Sequence, residues 1–246
     1  MKRLIYMSIV LFFTALSCAK EEIPVYDLGK DGIQFEYGDG EFSQQFDFSF
    51  QSYEGEDEWG YPVTKYYGDS IREKKIQLLV SIVGWSSDKE RKFKIKAEGG
   101  DGYDPTLVAL DEFYTIRSGR YTDTIEITLL RPSQRGRYKV KLTFDPEATG
   151  TDFDLGAEEK LEYTFDIVDS YPKPSDWDGR IAWLGEYSEE KYAFIVTVTN
   201  MKYGYYVDWG IYNQLLRDEL DRYNSENPTN PKDFSFPVNT DSIWWY

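Results

Sequence analysis

Apolar and polar residues alternate with a period of two in most segments between residues 33 and 169. Such alternation buries one face of a strand and leaves the other in water. Glycine- or aspartate-containing breaks separate the segments and no long helical pattern lies between them, so we predict about seven to nine strands in an antiparallel β-sandwich. The alternating apolar residues are Ile33, Phe35, Tyr37, Phe46, Phe48, Phe50, Ile76, Leu78, Val80, Ile82, Phe93, Ile95, Ala97, Ile125, Ile127, Leu129, Tyr138, Val140, Leu142, Phe144, Leu161, Tyr163, Phe165 and Ile167.

The pattern changes in the segment 170–178, where Pro172 and Pro174 form a short connector. We therefore divide the body into a β-sandwich domain at 33–169 and a small α/β region at 170–246. Residues 188–199 fit a helix or a strand. Ser188 can cap a helix and is followed by two acidic residues, Glu189 and Glu190, which favours the helix.

Helical spacing is clearer further on, where an amphipathic helix of about four turns is predicted to begin after Asp208 and to end near Asn224. Charged residues occupy its opposite face. The apolar residues at spacings of three and four are Trp209, Tyr212, Leu216, Leu220 and Tyr223.

The first residues have the pattern of a secretory signal. Lys2 and Arg3 precede an apolar run that is too short to cross a bilayer, for which about 20 residues are needed. Small residues then precede Cys18, which resembles the bacterial lipobox. This resemblance implies a signal peptide at 1–17, diacylation of Cys18 and insertion of its acyl chains into outer-membrane lipid.

A charged tether, residues 18–32, is predicted to follow the lipid. Lys20, Glu21 and Glu22 resemble the surface-export signal of Bacteroidetes lipoproteins. The resemblance implies a location on the outer face of the outer membrane, although a charged tether also serves simply for solubility.

Charge and composition exclude several classes of function. The formal net charge is −16, which should repel nucleic-acid phosphates. The chain has no histidine and a single cysteine, so neither a Ser-His-Asp triad nor an HExxH zinc site can be built. We therefore expect a non-enzymatic protein that needs no cofactor.

Aromatic side chains are the first candidates for binding. Trp59, Tyr61, Tyr66 and Tyr67 lie in a polar, glycine-containing segment between strands. Their rings could stack on sugars, form part of a protein interface or cap the end of the sandwich. Trp244 and Trp245 near the C-terminus are expected to be buried against the body or against a partner.

Carboxylates are the second candidates. Asp101 and Asp104 lie in a glycine-rich turn and offer hard oxygen ligands for calcium, but such acidic turns are usually only solvated. A glycosidase needs two carboxylates at a suitable separation, and with 44 acidic residues such a pair arises by chance.

Several features together resemble a Bacteroidetes family of outer-membrane lipoproteins of unknown function that are encoded beside SusC/SusD-type importers. They are the lipobox with its acidic tether, the strand-rich body, the segments 183–188 and 191–195, and the helix end at 222–224. The turn 102–104 and the segment 116–119 also resemble Calx-beta and related immunoglobulin-like sandwiches, which implies an immunoglobulin-like fold for the β-sandwich domain.

The resemblance implies an accessory subunit of a SusC/SusD-type nutrient importer, with a glycan or a peptide as ligand. Two alternatives remain open. One is an autonomous surface glycan-binding protein, and the other is a carboxylate-dependent hydrolase, which requires a cleft that holds two acids with perturbed pKa values.

Overall fold

The computed structural model describes residues 30–37, 43–57, 59–203 and 208–238. The elements in these residues belong to one compact unit, Asp31–Tyr246. The strands are β1 Gly32–Phe35, β2 Ser43–Asp47, β3 Ser52–Glu56, β4 Pro62–Tyr66, β5 Glu73–Val83, β6 Arg91–Phe93, β7 Ile95–Glu98, β8 Val108–Ala109, β9 Tyr114–Ile116, β10 Thr122–Leu130, β11 Gly136–Phe144, β12 Asp154–Leu155 and β13 Glu162–Asp169. The helices are α1 Ile181–Leu184, α2 Glu189–Thr199 and α3 Trp209–Glu226.

Two main sheets form the β-sandwich that the alternation predicts. One has the strand order β12-β1-β5-β10-β8, and the other has the order β2-β13-β11-β7. The long central pairs, β5 with β10 and β11 with β13, are antiparallel. The strand pairs at two sheet edges, β1 with β12 and β2 with β13, are parallel, so the sheets are mixed rather than purely antiparallel. Alternation predicts which face of a strand is buried but not the direction of its neighbour.

The first hydrophobic cluster lies between these sheets. It draws Phe35 and Leu78 from one sheet and Val140 and Phe144 from the other. The rings of Phe35 and Phe144 approach to 4.5 Å between centroids and connect the two layers. Each fully buried side chain of this size contributes roughly 1.5–3 kcal/mol, so the sandwich has a sizeable core without a disulfide.

The second hydrophobic cluster surrounds helix α2 and contains Trp177 and Tyr171. Helix α2 begins after Ser188, whose Oγ accepts a hydrogen bond from the Lys191 backbone N–H at 3.1 Å. The helical interpretation of residues 188–199 is thereby confirmed. Six consecutive residues, 191–196, are buried, so α2 is covered on nearly all sides and a single apolar stripe was not to be expected.

Helix α3 confirms the predicted amphipathic helix and ends at Glu226, two residues beyond Asn224. The Asp208 carboxylate accepts a hydrogen bond from the Gly210 backbone N–H and caps its first turn. Two residues from the sandwich segment, Phe50 and Tyr66, pack against the second cluster. The second cluster therefore includes residues from both sides of the predicted boundary, and the division at residues 169 and 170 stays a prediction.

Candidate functional site

A separate hairpin carries the first group of predicted aromatics. Strands β3 and β4 pair only with each other, from Ser52 opposite Tyr66 to Glu56 opposite Pro62. No residue of either described strand is buried. We call residues 52–57 and 59–67 the aromatic arm. A two-stranded hairpin is marginally stable by itself, so its tip and base must each be held by specific contacts.

The tip of the arm is held by Asp57. One oxygen of its carboxylate accepts hydrogen bonds from the backbone N–H groups of Trp59 at 3.0 Å and Tyr61 at 2.8 Å. The Asp57 N–H donates to the Tyr61 carbonyl, and the Gly60 N–H donates to the Asp57 carbonyl. Gly60 has φ +83°, a left-handed conformation that favours glycine. These contacts order the backbone of the turn without help from the body.

The tip presents its two rings to solvent. Trp59 is 74% exposed and Tyr61 is 68% exposed. Exposed rings of this size are candidates for contact with a ligand or a partner. Of the three roles that the sequence allowed, capping the sandwich is therefore excluded for these two residues, whereas stacking and interface formation are retained.

The base of the arm joins the body through the other two predicted aromatics. Tyr66 donates its backbone N–H to the Asn200 carbonyl at 2.8 Å, and its ring meets Phe50 edge-on at the second cluster. The Tyr67 ring lies 4.7 Å from the Tyr53 ring, and both are partly exposed. The structure thus separates the four residues, because two are at the tip, one packs inward and one forms a surface pair.

Tyr53 belongs to this site and was not predicted. Its local sequence, Ser-Tyr-Glu-Gly-Glu, has no apolar face, so period-two reasoning does not recognise the strand. The arm is also acidic, with Glu54, Glu56 and Asp57 against a single Lys65 in its described residues. An exposed aromatic tip with acidic sides is complementary to an apolar recess with a basic rim.

A buried ion cluster lies near the base of the arm and was missed by sequence reasoning. We call it the arginine cluster, and it consists of Asp69, Arg131, Arg135 and Asp169. The Arg131 side chain is 2% exposed, and its hydrogen bonds to both carboxylates are 2.7–2.8 Å long. Arg135 reaches the same two carboxylates at 2.7 and 3.2 Å.

Electrostatics in the cluster favour the charged forms. Burial of Asp69 opposes its ionisation, but the hydrogen bond and charge of Arg135, helped by Arg131, outweigh burial and lower the Asp69 pKa. Burial likewise opposes the charge of Arg131, yet the hydrogen bond to Asp169 prevails and raises its pKa. The cluster contains two cations and two anions, and its hydrogen bonds connect the turn at Gly68–Ser70 to the ends of β10 and β13.

The two calcium candidates lie in the turn that precedes a short 3-10 helix, Pro105–Leu107. Asp101 has φ 51°, and Asp104 uses one carboxylate oxygen to accept hydrogen bonds from the N–H and hydroxyl of Thr106. Within the described residues, no group of three or more acids could hold a metal ion. Asp104 is thus explained as a helix cap.

The remaining predicted residues lie outside the described part of the chain. They are Cys18, Lys20, Glu21, Glu22, Trp244 and Trp245. Among the helices that the structure describes, none is both long and apolar enough to span a bilayer.

The solved structures that the chain is similar to have very low sequence identity to it. The apo-form Calx CBD1 domain is 11% identical, covers 57% of this chain and 97% of its own, and has a TM-score of 0.36. Two proteins of unknown function from Bacteroides ovatus are 10% and 9% identical, with TM-scores of 0.33 and 0.34. The matched regions cover 56% and 57% of this chain. They cover 44% and 46% of the two Bacteroides ovatus chains, so this chain spans less than half of their length.

Comparison with curated proteins gives no match. One family matches the segment from β2 through α2, which contains both the aromatic arm and the arginine cluster. Because the match extends over residues 42–201, the chain belongs to the family described as a domain of unknown function, DUF4843.

Proposed function

We propose that the protein is a non-enzymatic accessory lipoprotein of a SusC/SusD-type nutrient importer, anchored through Cys18 on the outer face of the outer membrane. In this proposal the aromatic arm docks into the transporter. The observation that carries it is the tip, where Asp57 orders the backbone and yet Trp59 is 74% and Tyr61 is 68% exposed.

The shape of the tip favours a protein partner. Trp59 and Tyr61 are exposed at the end of a two-stranded hairpin, a position from which both rings could enter a recess on a partner. Tryptophan and tyrosine are enriched among residues that dominate protein interfaces, since they bury a large area with few rotatable bonds. A backbone that is already ordered loses less entropy when it binds.

The charge of the arm specifies the rim of that recess. Glu54, Glu56 and Asp57 outnumber Lys65, so the rim on the partner should be basic. Attraction between exposed charges is screened beyond about 8 Å at physiological ionic strength. The proposal therefore implies an association that slows as salt is raised.

Carboxylate chemistry supports the non-enzymatic part of the proposal. The acid of a glycosidase needs a raised pKa. In the described residues, the resolved carboxyl shifts are those of Asp69, Glu98 and Asp123, and each pKa is lowered. The main cause for Glu98 is the hydrogen bond from Lys141, and the main cause for Asp123 is the hydrogen bond from Arg117.

The test is co-purification from detergent-solubilised membranes. The tagged wild-type protein should retain a SusC/SusD-type transporter, whereas the Trp59→Ala/Tyr61→Ala variant should lose it. Truncating a residue that dominates an interface costs about 2 kcal/mol or more, which is a loss of affinity of roughly 30-fold. The matched control is Trp85→Ala, because Trp85 is 78% exposed and lies outside the arm.

The control should bind the transporter like the wild type. If wild-type protein retains no transporter, the proposal fails. If the Trp59→Ala/Tyr61→Ala variant and the Trp85→Ala control lose the transporter equally, the arm is not the docking element.

An autonomous glycan-binding role is the second candidate, and it is favoured by the same rings beside carboxylates, which can accept hydrogen bonds from sugar hydroxyls. Gels containing neutral polysaccharides distinguish the two. Retardation of the wild type that Trp59→Ala abolishes and Trp85→Ala preserves would support glycan binding, and equal mobility of all three proteins would count against it.

A further inference from the structure

A cavity of ≈ 270 Å³ opens between the turn at Gly68–Ser70 and helices α2 and α3. Gly68 has φ +57°, and a Cβ there would lie 2.4 Å from the Thr197 hydroxyl oxygen, so only glycine allows the turn to approach α2 this closely. Thr197 Oγ1 in turn accepts a hydrogen bond from the Asp69 backbone N–H at 2.8 Å. The cavity wall is therefore set by a specific packing contact.

Apolar and cationic side chains both line the cavity, together with Asp69 and Glu219. Phe194, Val198 and Tyr223 supply apolar surface. Arg72, Arg222 and Lys232 also line the cavity, in a chain whose net charge is −16. Three cations on one concave surface are unexpected for so acidic a protein.

The partners of these cations leave room for a ligand. Among the described residues Arg72 forms no ion pair and is exposed. Lys232 pairs with Glu190 at 2.7 Å, and Arg222 pairs with Glu219 and Glu226. These three carboxylates have side-chain exposures of 58%, 32% and 57%, and surface pairs contribute little free energy, so an incoming anion can displace them.

Asp69 also lines the cavity, and its charge interacts mainly with Arg135 and Arg131 and to a smaller extent with Lys232. Its Oδ1 accepts from Arg131 and its Oδ2 accepts from Arg135, both in the arginine cluster. The negative charge of Asp69 is thus compensated from behind the cavity wall. Among the described residues, Arg72 is thus the cavity cation without an ion pair, and the ion-pair partner of Lys232 is the exposed Glu190.

We propose that this cavity binds a small organic anion, namely a carboxylate or a phosphate on a body no larger than one sugar ring. The anion lies against Arg72 and Lys232, and the body packs on Phe194 and Tyr223. The planar donors of arginine suit carboxylate and phosphate oxygens. The volume is just below the usual range of small-molecule sites, about 300–1,000 Å³, which limits the size of the ligand. The site shares no residue with the aromatic arm and goes beyond the proposed function.

Isothermal titration of the full chain in detergent tests this proposal with three probes, namely glucuronate, glucose 6-phosphate and glucose. At least one of the two acids should bind with one-to-one stoichiometry, and glucose should not bind. Binding of glucuronate alone identifies the carboxylate as the ligand group, and binding of glucose 6-phosphate alone identifies the phosphate.

The variant Arg72→Gln should weaken binding of the acid about tenfold or more, because it removes a charge-assisted hydrogen bond. Lys232→Gln should weaken it similarly. The matched control is Arg120→Gln, since Arg120 is an exposed arginine in a turn of the sandwich. Unfolding midpoints of the variants verify that they are folded. The proposal is overturned if neither acid binds, if glucose binds as well as the acids, or if Arg72→Gln binds like the control.

Discussion

Replacing Arg131 with methionine tests the arginine cluster most directly. Methionine keeps an apolar stem but removes all five N–H donors of the guanidinium group. In the folded protein those donors have partners, because Nε and Nη2 reach Asp169, Nη2 reaches Asp69, and Nη1 reaches the carbonyls of Gly68 and Ile71. The substitution leaves Asp169, a residue that is 2% exposed, with less compensation for its charge.

The expected loss in the free energy of unfolding depends on the burial of the ion pair and on the hydrogen bonds that Arg135 still makes. Removing one partner of a buried ion pair costs about 3–5 kcal/mol, because the other charge stays buried. Arg135 still donates to Asp169 at 3.2 Å and to Asp69 at 2.7 Å, so part of the compensation survives. We therefore expect a loss of about 3 kcal/mol in the free energy of unfolding, at the low end of that range.

Urea unfolding of the chain that follows Cys18, monitored by tryptophan fluorescence, measures this loss. The control Arg120→Met removes an exposed arginine and should change the free energy of unfolding by less than about 0.5 kcal/mol. A loss below about 1 kcal/mol for Arg131→Met would show that the cluster contributes no more to stability than a surface ion pair does.

The cluster also predicts a pH dependence. The Asp69 pKa is lowered in the folded state, so its contribution is fully present above the unfolded value of about 3.9 and is lost as the pH falls through the folded value. The difference in stability between wild type and Arg131→Met should therefore shrink below about pH 4. A difference that stays constant down to pH 2 would contradict this assignment.

Three other substitutions have defined outcomes. Asp57→Ala removes two hydrogen bonds at the tip, so amide hydrogen exchange at Trp59 and Tyr61 should accelerate. The free energy of unfolding should fall by less than about 1.5 kcal/mol. Unchanged exchange would mean that the Asp57 carboxylate does not order the turn. Ser188→Ala removes the cap of α2 and should cost about 1 kcal/mol by urea unfolding, and Ser170→Ala serves as an uncapped control. Burial lowers the pKa of Lys191, so the wild type should gain stability as the pH rises toward the unfolded value of about 10.4. Lys191→Met should lack this gain in urea unfolding, and an equal gain in both proteins would contradict this reasoning.

The buried faces of the strands were predictable because alternation is a local property. Val140, Leu142 and Phe144 were predicted to share a face, and all three are buried in the sandwich core. Helix α3 was predictable for the same reason, since its apolar residues recur at helical spacing. Helix α2 was ambiguous because it is buried on nearly all sides, and the local indications of a helix were Ser188 and the two acidic residues that follow it.

The aromatic arm could be predicted only in part. Trp59 and Tyr61 were recognised by their residue type in a polar segment, but strands β3 and β4 were not. Apart from Tyr66 at the base of the arm, their residues do not pack against a hydrophobic cluster, so burial imposes no period on them. Pairing within the arm comes from backbone hydrogen bonds and from Asp57, which apolar patterns do not report.

The sequence by itself determined the alternating strands, the amphipathic helix and the absence of histidine chemistry, because each is a property of neighbouring residues or of composition. Only the tertiary structure decided that Trp59 points outward whereas Tyr66 packs inward, since exposure depends on what covers a ring. It also decided the arginine cluster, in which Arg131 meets partners that are 62 and 38 residues distant in the chain. Contacts between such distant residues are made by the fold, and no local pattern encodes them.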